Sequence, residues 1–210
     1  MRRLLAVLAG LSAAAPALAD SDVEHARYSV VASAGPIEIR DYAPQIVAET
    51  TVAGERDAAI NEGFRRLAGY IFGDNAPKQK IAMTAPVEQE KGARIEGAKI
   101  SMTAPVGQTR EGDQWKVRFT MPAEHTLDTL PHPKNPAVKL SHTPGKRMAA
   151  IRFSGVAGDN DLAEHEAKLV AHLKAQGLSP KGEAHYAFYD PPWTLPWNRR
   201  NEVMVEIPRK

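Results

Sequence analysis

Only two stretches of this 210-residue chain carry a helical period, and nearly everything else reads as short extended runs punctuated by Pro or Gly. That argues against a doubly wound parallel fold, which needs many helices alternating with its strands. The first helical stretch is "ERDAAINEGFRRLAGYIFGDN", where Ile60, Phe64, Leu67 and Ile71 recur at i, i+4, i+7 and i+11 and Gly73 supplies a stop. Ala68 and Phe72 lie to one side of that stripe, with Asn61 and Arg65 beside them. The apolar arc is therefore wider than packing on one sheet requires, which leaves a face for a second contact. The other helix is "DNDLAEHEAKLVAHLKAQG", with Leu162, Leu169 and Leu173 on one face and Gly177 at its end. Around them run "RYSVVAS", "PIEIRDY", "QIVAETTVAG", "QWKVRFTMP", "KRMAAIRFSG", "AHYAFYD" and "NEVMVEI", rich in β-branched residues. The expected fold class is α+β: a distorted antiparallel β-barrel from two pseudo-repeated β-α-β-β units, flanked by two α-helices. "LDTLPHPKNPAVKL" reads as a Pro-rich connection too polar for the core.

A doubled peptide sharpens this picture. "KIAMTAPV" begins at Lys80 and "KISMTAPV" at Lys99, nineteen positions later. The residue before a Pro avoids helical angles, and Pro itself lacks an N–H, so each copy is extended and its Pro falls at a strand end, an edge or a bulge. Joined by "EQEKGARIEGA", the copies read as a long hairpin bringing Met83 and Met102 to one environment, as core filling or as the wall of a flat apolar pocket.

Residues 1–19 have the layout of a cleaved secretory signal: Arg2-Arg3, an apolar run from Leu4 to Leu11, and an A-x-A site at Ala17-Leu18-Ala19. The run is too short to span a bilayer. Residues 20–210 are expected to form a single domain, periplasmic or secreted. Removing Arg2 and Arg3 takes the basic residues from 27 to 25, against 25 acidic ones. No electrostatic case for nucleic acid remains. The chain has no Cys, which excludes disulfides, a thiol nucleophile, a thiolate metal site and covalent haem attachment through C-x-x-C-H.

Taken together, "KIAMTAPV", "GFRRLAGYIFGDN", "IEIRDYAP", "IRFSG" and "YDPPWTLPWNRRNEVMVEI" resemble the SOUL haem-binding protein family from about Tyr28 to Ile207. The resemblance implies a distorted β-barrel with two helices and non-covalent binding of haem or a related tetrapyrrole, for carriage, scavenging or buffering. It also implies a pocket between the first helix and the loop before the last strand. Carried over, that places Asn61, Phe64, Arg65, Leu67 and Ala68 on one side and Trp193, Leu195, Trp197 and Arg199 on the other. A porphyrin needs flat apolar walls and donors for its propionates. The tryptophans suit the first need, and Arg65, Arg66, Arg199 and Arg200 the second. The bland alternatives are tryptophans that pin a loop to the barrel and arginines in structural ion pairs.

One branch of the family has His in "RHY", proposed as an axial ligand, where this chain has Arg40-Asp41-Tyr42. Asp41 is no comparable iron ligand. His165 and His172 lie about 10 Å apart along the second helix and cannot share one metal ion. The leading expectation is binding through ring contacts and propionates, with any metal ligand unassigned. An alternative is a general small-molecule module resembling the effector-binding domains of multidrug-responsive regulators, with Glu202 either a carboxylate for a bulky cation or the ion-pair partner of Arg199. Catalysis is not expected. There is no G-x-S-x-G, "HTLDTLPH" is a weak metal pattern, and "HEAKL" lacks the second His of a zinc protease.

Overall fold

The computed structural model describes residues 23–76 and 97–209. The elements run β1 (Glu24–His25), β2 (Tyr28–Ala34), β3 (Ile37–Tyr42), β4 (Gln45–Ala53), α1 (Arg56–Ile71), β5 (Asn75–Ala76), β6 (Thr103–Ala104), β7 (Val106–Glu111), β8 (Gln114–Thr120), β9 (His132–Pro133), β10 (Lys139–Thr143), β11 (Arg147–Phe153), α2 (Asp159–Ala175), β12 (Lys181–Phe188) and β13 (Asn201–Glu206). Nine strands form one curled sheet in the order β10-β4-β8-β7-β12-β13-β11-β3-β2, and its pairings are antiparallel.

The expected pseudo-repeat is visible in that order. The unit β4-α1-β7-β8 appears as β4-β8-β7, and the unit β11-α2-β12-β13 appears as its reverse, β12-β13-β11. The two meet at the antiparallel β7–β12 pair. Helix α1 packs on β4 and β8, and α2 on β11 and β13. Two apolar cores follow, one under each helix: Leu67, Tyr70, Ile71, Val117 and Phe119 in the first, Leu162, Leu169, Leu173, Val203 and Val205 in the second. Strand alternation sends the intervening residues Arg118, Thr120, His185 and Met204 to the other, concave side, where they line a cleft.

Several sequence expectations change. The buried stripe of α1 is Ala59, Gly63, Leu67, Tyr70 and Ile71, so Phe64 leaves the core line and is 40% exposed, its ring edge-on to Phe119 at 5.4 Å. The cause is close approach at Gly63, where an added Cβ would stand 2.5 Å from Val117 Cγ2. Gly63→Ala is expected to lower stability by about 1–3 kcal/mol through overpacking. An urea midpoint equal to that of the parent would sink this reading of the helix–sheet contact. Gly73 ends α1 as expected, at φ +117°.

The Pro-rich connection is not excluded from the core. Leu130 is fully buried and Val138 nearly so, both in the cluster beneath α1. Two well-spaced apolar residues suffice to pin a polar segment, although its average composition hides them.

Of the doubled peptide, the first copy and Met83 lie outside the described residues. In the second, Thr103–Ala104 pairs in parallel with Glu24–His25. Pro105 falls between β6 and β7, as its missing N–H requires. Met102 is 40% exposed rather than core.

Candidate functional site

The loop joining β12 to β13 carries three Pro and two Trp within residues 189–200. Its backbone is held at several points. Asp190 Oδ2 accepts from Arg200 N at 2.6 Å, and Gly155 N donates to Pro196 O at 2.9 Å. Arg199 folds back on its own loop, donating from Nε to Thr194 O at 2.7 Å and from Nη2 to Pro192 O at 2.5 Å. The tryptophans take no part in this anchoring. Trp193, Leu195 and Trp197 are 82%, 52% and 69% exposed, which overturns the reading of the tryptophans as pins to the barrel. A rigid backbone thus presents three large apolar side chains to solvent. Large exposed apolar patches on a soluble chain mark a binding surface.

On α1, Asn61 and Arg65 are exposed and Ala68 half-buried. Leu67 is fully buried, so it supports the helix from beneath. Glu62 accepts from both Arg65 and Arg66, and the two guanidiniums hold its carboxyl below the usual range. One carboxylate facing two cations leaves a net positive charge there. Arg199 likewise bonds only to carbonyl oxygens, so no carboxylate cancels its charge among the described residues. No hydrogen bond, ion pair or ring contact among the described residues joins residues 61–68 to the 193–199 loop. The link is indirect: Arg56, in the first turn of α1, lies 5.7 Å from the ring of Phe188, from which the loop departs, and 3.0 Å from Asp159 at the start of α2.

The concave side carries a buried charge cluster. Glu202, with no exposed side-chain surface, accepts from Arg40 Nη1 at 2.6 Å and Nη2 at 2.9 Å, from Arg200 at 2.9 Å, and from the Tyr189 hydroxyl at 2.8 Å. Burial pushes its carboxyl up, but the Arg40 and Arg200 guanidiniums overcome this and hold it low. Its partners are therefore Arg40 and Arg200 rather than Arg199. With its oxygens filled, it has no capacity left for a foreign cation.

Asp41 is equally committed. It takes both arms of Arg147, at 2.9 and 2.7 Å, with Arg209 at 3.5 Å. His165 is half-buried and stacked on Phe153 at 3.9 Å, and His172 bonds to Gln176. Among the described residues no three of His, Asp and Glu converge to hold a metal ion.

The sequence pattern of the SOUL heme-binding protein family matches residues 23–206. The chain belongs to this family. It is 29% identical to human heme-binding protein 2 over 175 residues, covering 81% of this chain and 78% of that one. Among solved structures, the fold resembles the EcmrR C-terminal domain at a TM-score of 0.57 and 9% identity, spanning 87% of this chain and 99% of the other. A Listeria innocua hydrolase resembles it at 0.53 and 12% identity, over 85% and 94%. At such identities only the fold is shared.

Sequence reasoning missed Arg40 and His185 as site-forming residues. Arg40 stands in an alternating strand where nothing distinguishes an inward cation from a solvated one. His185 also obeys a strand alternation, and its partial burial appears only when β7 and β13 close on either side.

Proposed function

We propose that this SOUL-family chain binds haem or a related tetrapyrrole non-covalently, against the exposed Trp193–Leu195–Trp197 loop and the outer face of α1 at Asn61, Phe64, Arg65 and Ala68. The observation carrying this is the backbone-braced display of three large apolar side chains, beside cations whose charge is not fully neutralised. The tryptophan faces suit a flat macrocycle, and Arg65 and Arg199 suit its propionates. Iron would supply redox or ligand-binding chemistry when haem is bound; Asp41 is engaged by Arg147, and none of the described residues assigned to this surface is an axial ligand. Carriage, scavenging or buffering in the periplasm or outside the cell is the role we assign, with residues 1–19 as a removed secretory signal and no catalytic step.

Absorbance titrations of residues 20–210 with ferric haem and with iron-free protoporphyrin test this. Both ligands are expected to bind one-to-one. The Trp193→Ala/Trp197→Ala variant is expected to lose at least about fivefold in affinity, from stacking losses of about 0.5–1.5 kcal/mol per ring, with an unchanged urea midpoint because both rings are exposed. Haem binding without protoporphyrin binding would demand an iron ligand instead. No saturable binding of either would end the proposal.

A further inference from the structure

The concave cleft lies across the sheet from α1, and its lining differs chemically from the aromatic loop. His185 on β12 stands in register with Thr109 on β7 and Met204 on β13, so the three side chains share one face. Thr109 Oγ1 lies 2.6 Å from His185 Nδ1. No hydrogen bond to Nε2 is recorded among the described residues, and His185 lines a cavity of about 120 Å³. Burial, then Arg118 and Lys146, push its imidazole down to about 4, opposed by Glu206, so it is neutral at neutral pH.

The lining fixes the ligand class. Val47, Gly107, Met148 and Met204 are apolar, while Arg118 and Lys146 supply positive charge. Arg118 gives Nε to Glu49 at 2.8 Å and has no recorded partner on its Nη groups among the described residues. Lys146 pairs with Glu206 at 2.6 Å but stays 37% exposed. The lining holds two cations and no carboxylate, which disfavours a soft metal cation despite the two thioethers. The volume is far below that of a tetrapyrrole but close to the roughly 150 Å³ of a cavity that takes benzene.

We propose that this cleft is a second site, binding a small apolar monocarboxylate of about benzoate size. The carboxylate meets Arg118 and Lys146. With the Thr109 hydroxyl donating to Nδ1, His185 offers its Nε2–H as a third donor. The ring or branched chain lies on Met148, Met204 and Val47. The site is independent of the tetrapyrrole reading, because the lining of the cleft shares no residue with the 193–199 loop or with residues 61–68 of α1.

Nuclear magnetic resonance of the mature chain with labelled His, titrated with benzoate, benzamide and benzylammonium, tests it. Benzoate is expected to shift the His185 ring signals saturably and to bind at least tenfold more tightly than benzamide, with benzylammonium weaker still. Lys146→Gln is expected to weaken benzoate several-fold. Arg118→Gln should weaken it more, and its fold is checked by circular dichroism because Glu49 loses a partner. Saturating haem should leave benzoate affinity unchanged. No shift at His185, equal binding of the three probes, insensitivity to Lys146→Gln, or competition with haem would each overturn the proposal.

Discussion

Glu202→Gln is expected to cost about 3–5 kcal/mol of stability, because it leaves buried arginine charge without its counterion. The Arg40 side chain is 2% exposed and directs both Nη groups at Glu202. Among the described residues its only other carboxylate partner is Glu38, which accepts from Nε at 2.7 Å and is itself 33% exposed. Glutamine keeps the volume of the glutamate and one carbonyl acceptor, so the loss isolates charge from packing. Chemical denaturation should show the midpoint falling with an unchanged slope. A double variant, Arg40→Met/Glu202→Gln, is expected to recover much of the deficit, since removing both members of a buried pair is far less costly than removing one. Loss below about 1 kcal/mol in the single variant, in the range of exposed pairs, would show the cluster to be screened and incidental. The same geometry bears on ligand choice: a carboxylate satisfied by two arginines and a tyrosine is a structural brace between β3 and β13.

The fold was more legible than the site, for a physical reason. Two helical periods among alternating runs leave few solutions other than an antiparallel sheet with helices on one face, and the reversed order β4-β8-β7, β12-β13-β11 realises the expected repeat. Where reading by hydrophobicity failed, the determinant was shape or pairing. Gly63 scores as nothing on a hydropathy scale, yet it sets how closely α1 approaches Val117 and displaces Phe64 outward. Leu130 and Val138 disappear into the polar average of their segment. The loop residues Trp193, Leu195 and Trp197 are visible as candidates through a family resemblance, but their exposure, on a loop that Arg199 braces through its carbonyls, follows from no spacing rule. Glu202 stands out in the sequence, but neither the foreign cation nor Arg199 expected as its partner is what it meets. One of its two arginine partners, Arg200, is two residues away, but the other, Arg40, is 162 residues away in sequence.

Acid should weaken the fold through His185 by an amount that can be isolated. Its folded-state value is about 4, depressed by burial and by Arg118 and Lys146. An unfolded histidine titrates near 6.5. Between those values the unfolded chain binds more protons than the folded one, so stability rises with pH across that interval. The contribution is complete above about pH 6.5 and is lost as the pH falls towards 4. At 1.36 kcal/mol per unit, the full difference is about 3 kcal/mol. Paired carboxylates such as Asp41 and Glu62, held low by their arginines, also weaken the fold in acid, mainly below that interval. The comparison is therefore made against His185→Gln, which retains an amide able to meet the Thr109 hydroxyl and does not titrate. Denaturation at pH 7, 5.5 and 4 should show the parent losing up to about 3 kcal/mol relative to the variant, with most of the divergence between pH 6.5 and 4. Parallel curves would mean that His185 reaches solvent and titrates normally, and the concave face would then be an open surface rather than a cleft closed around a neutral imidazole.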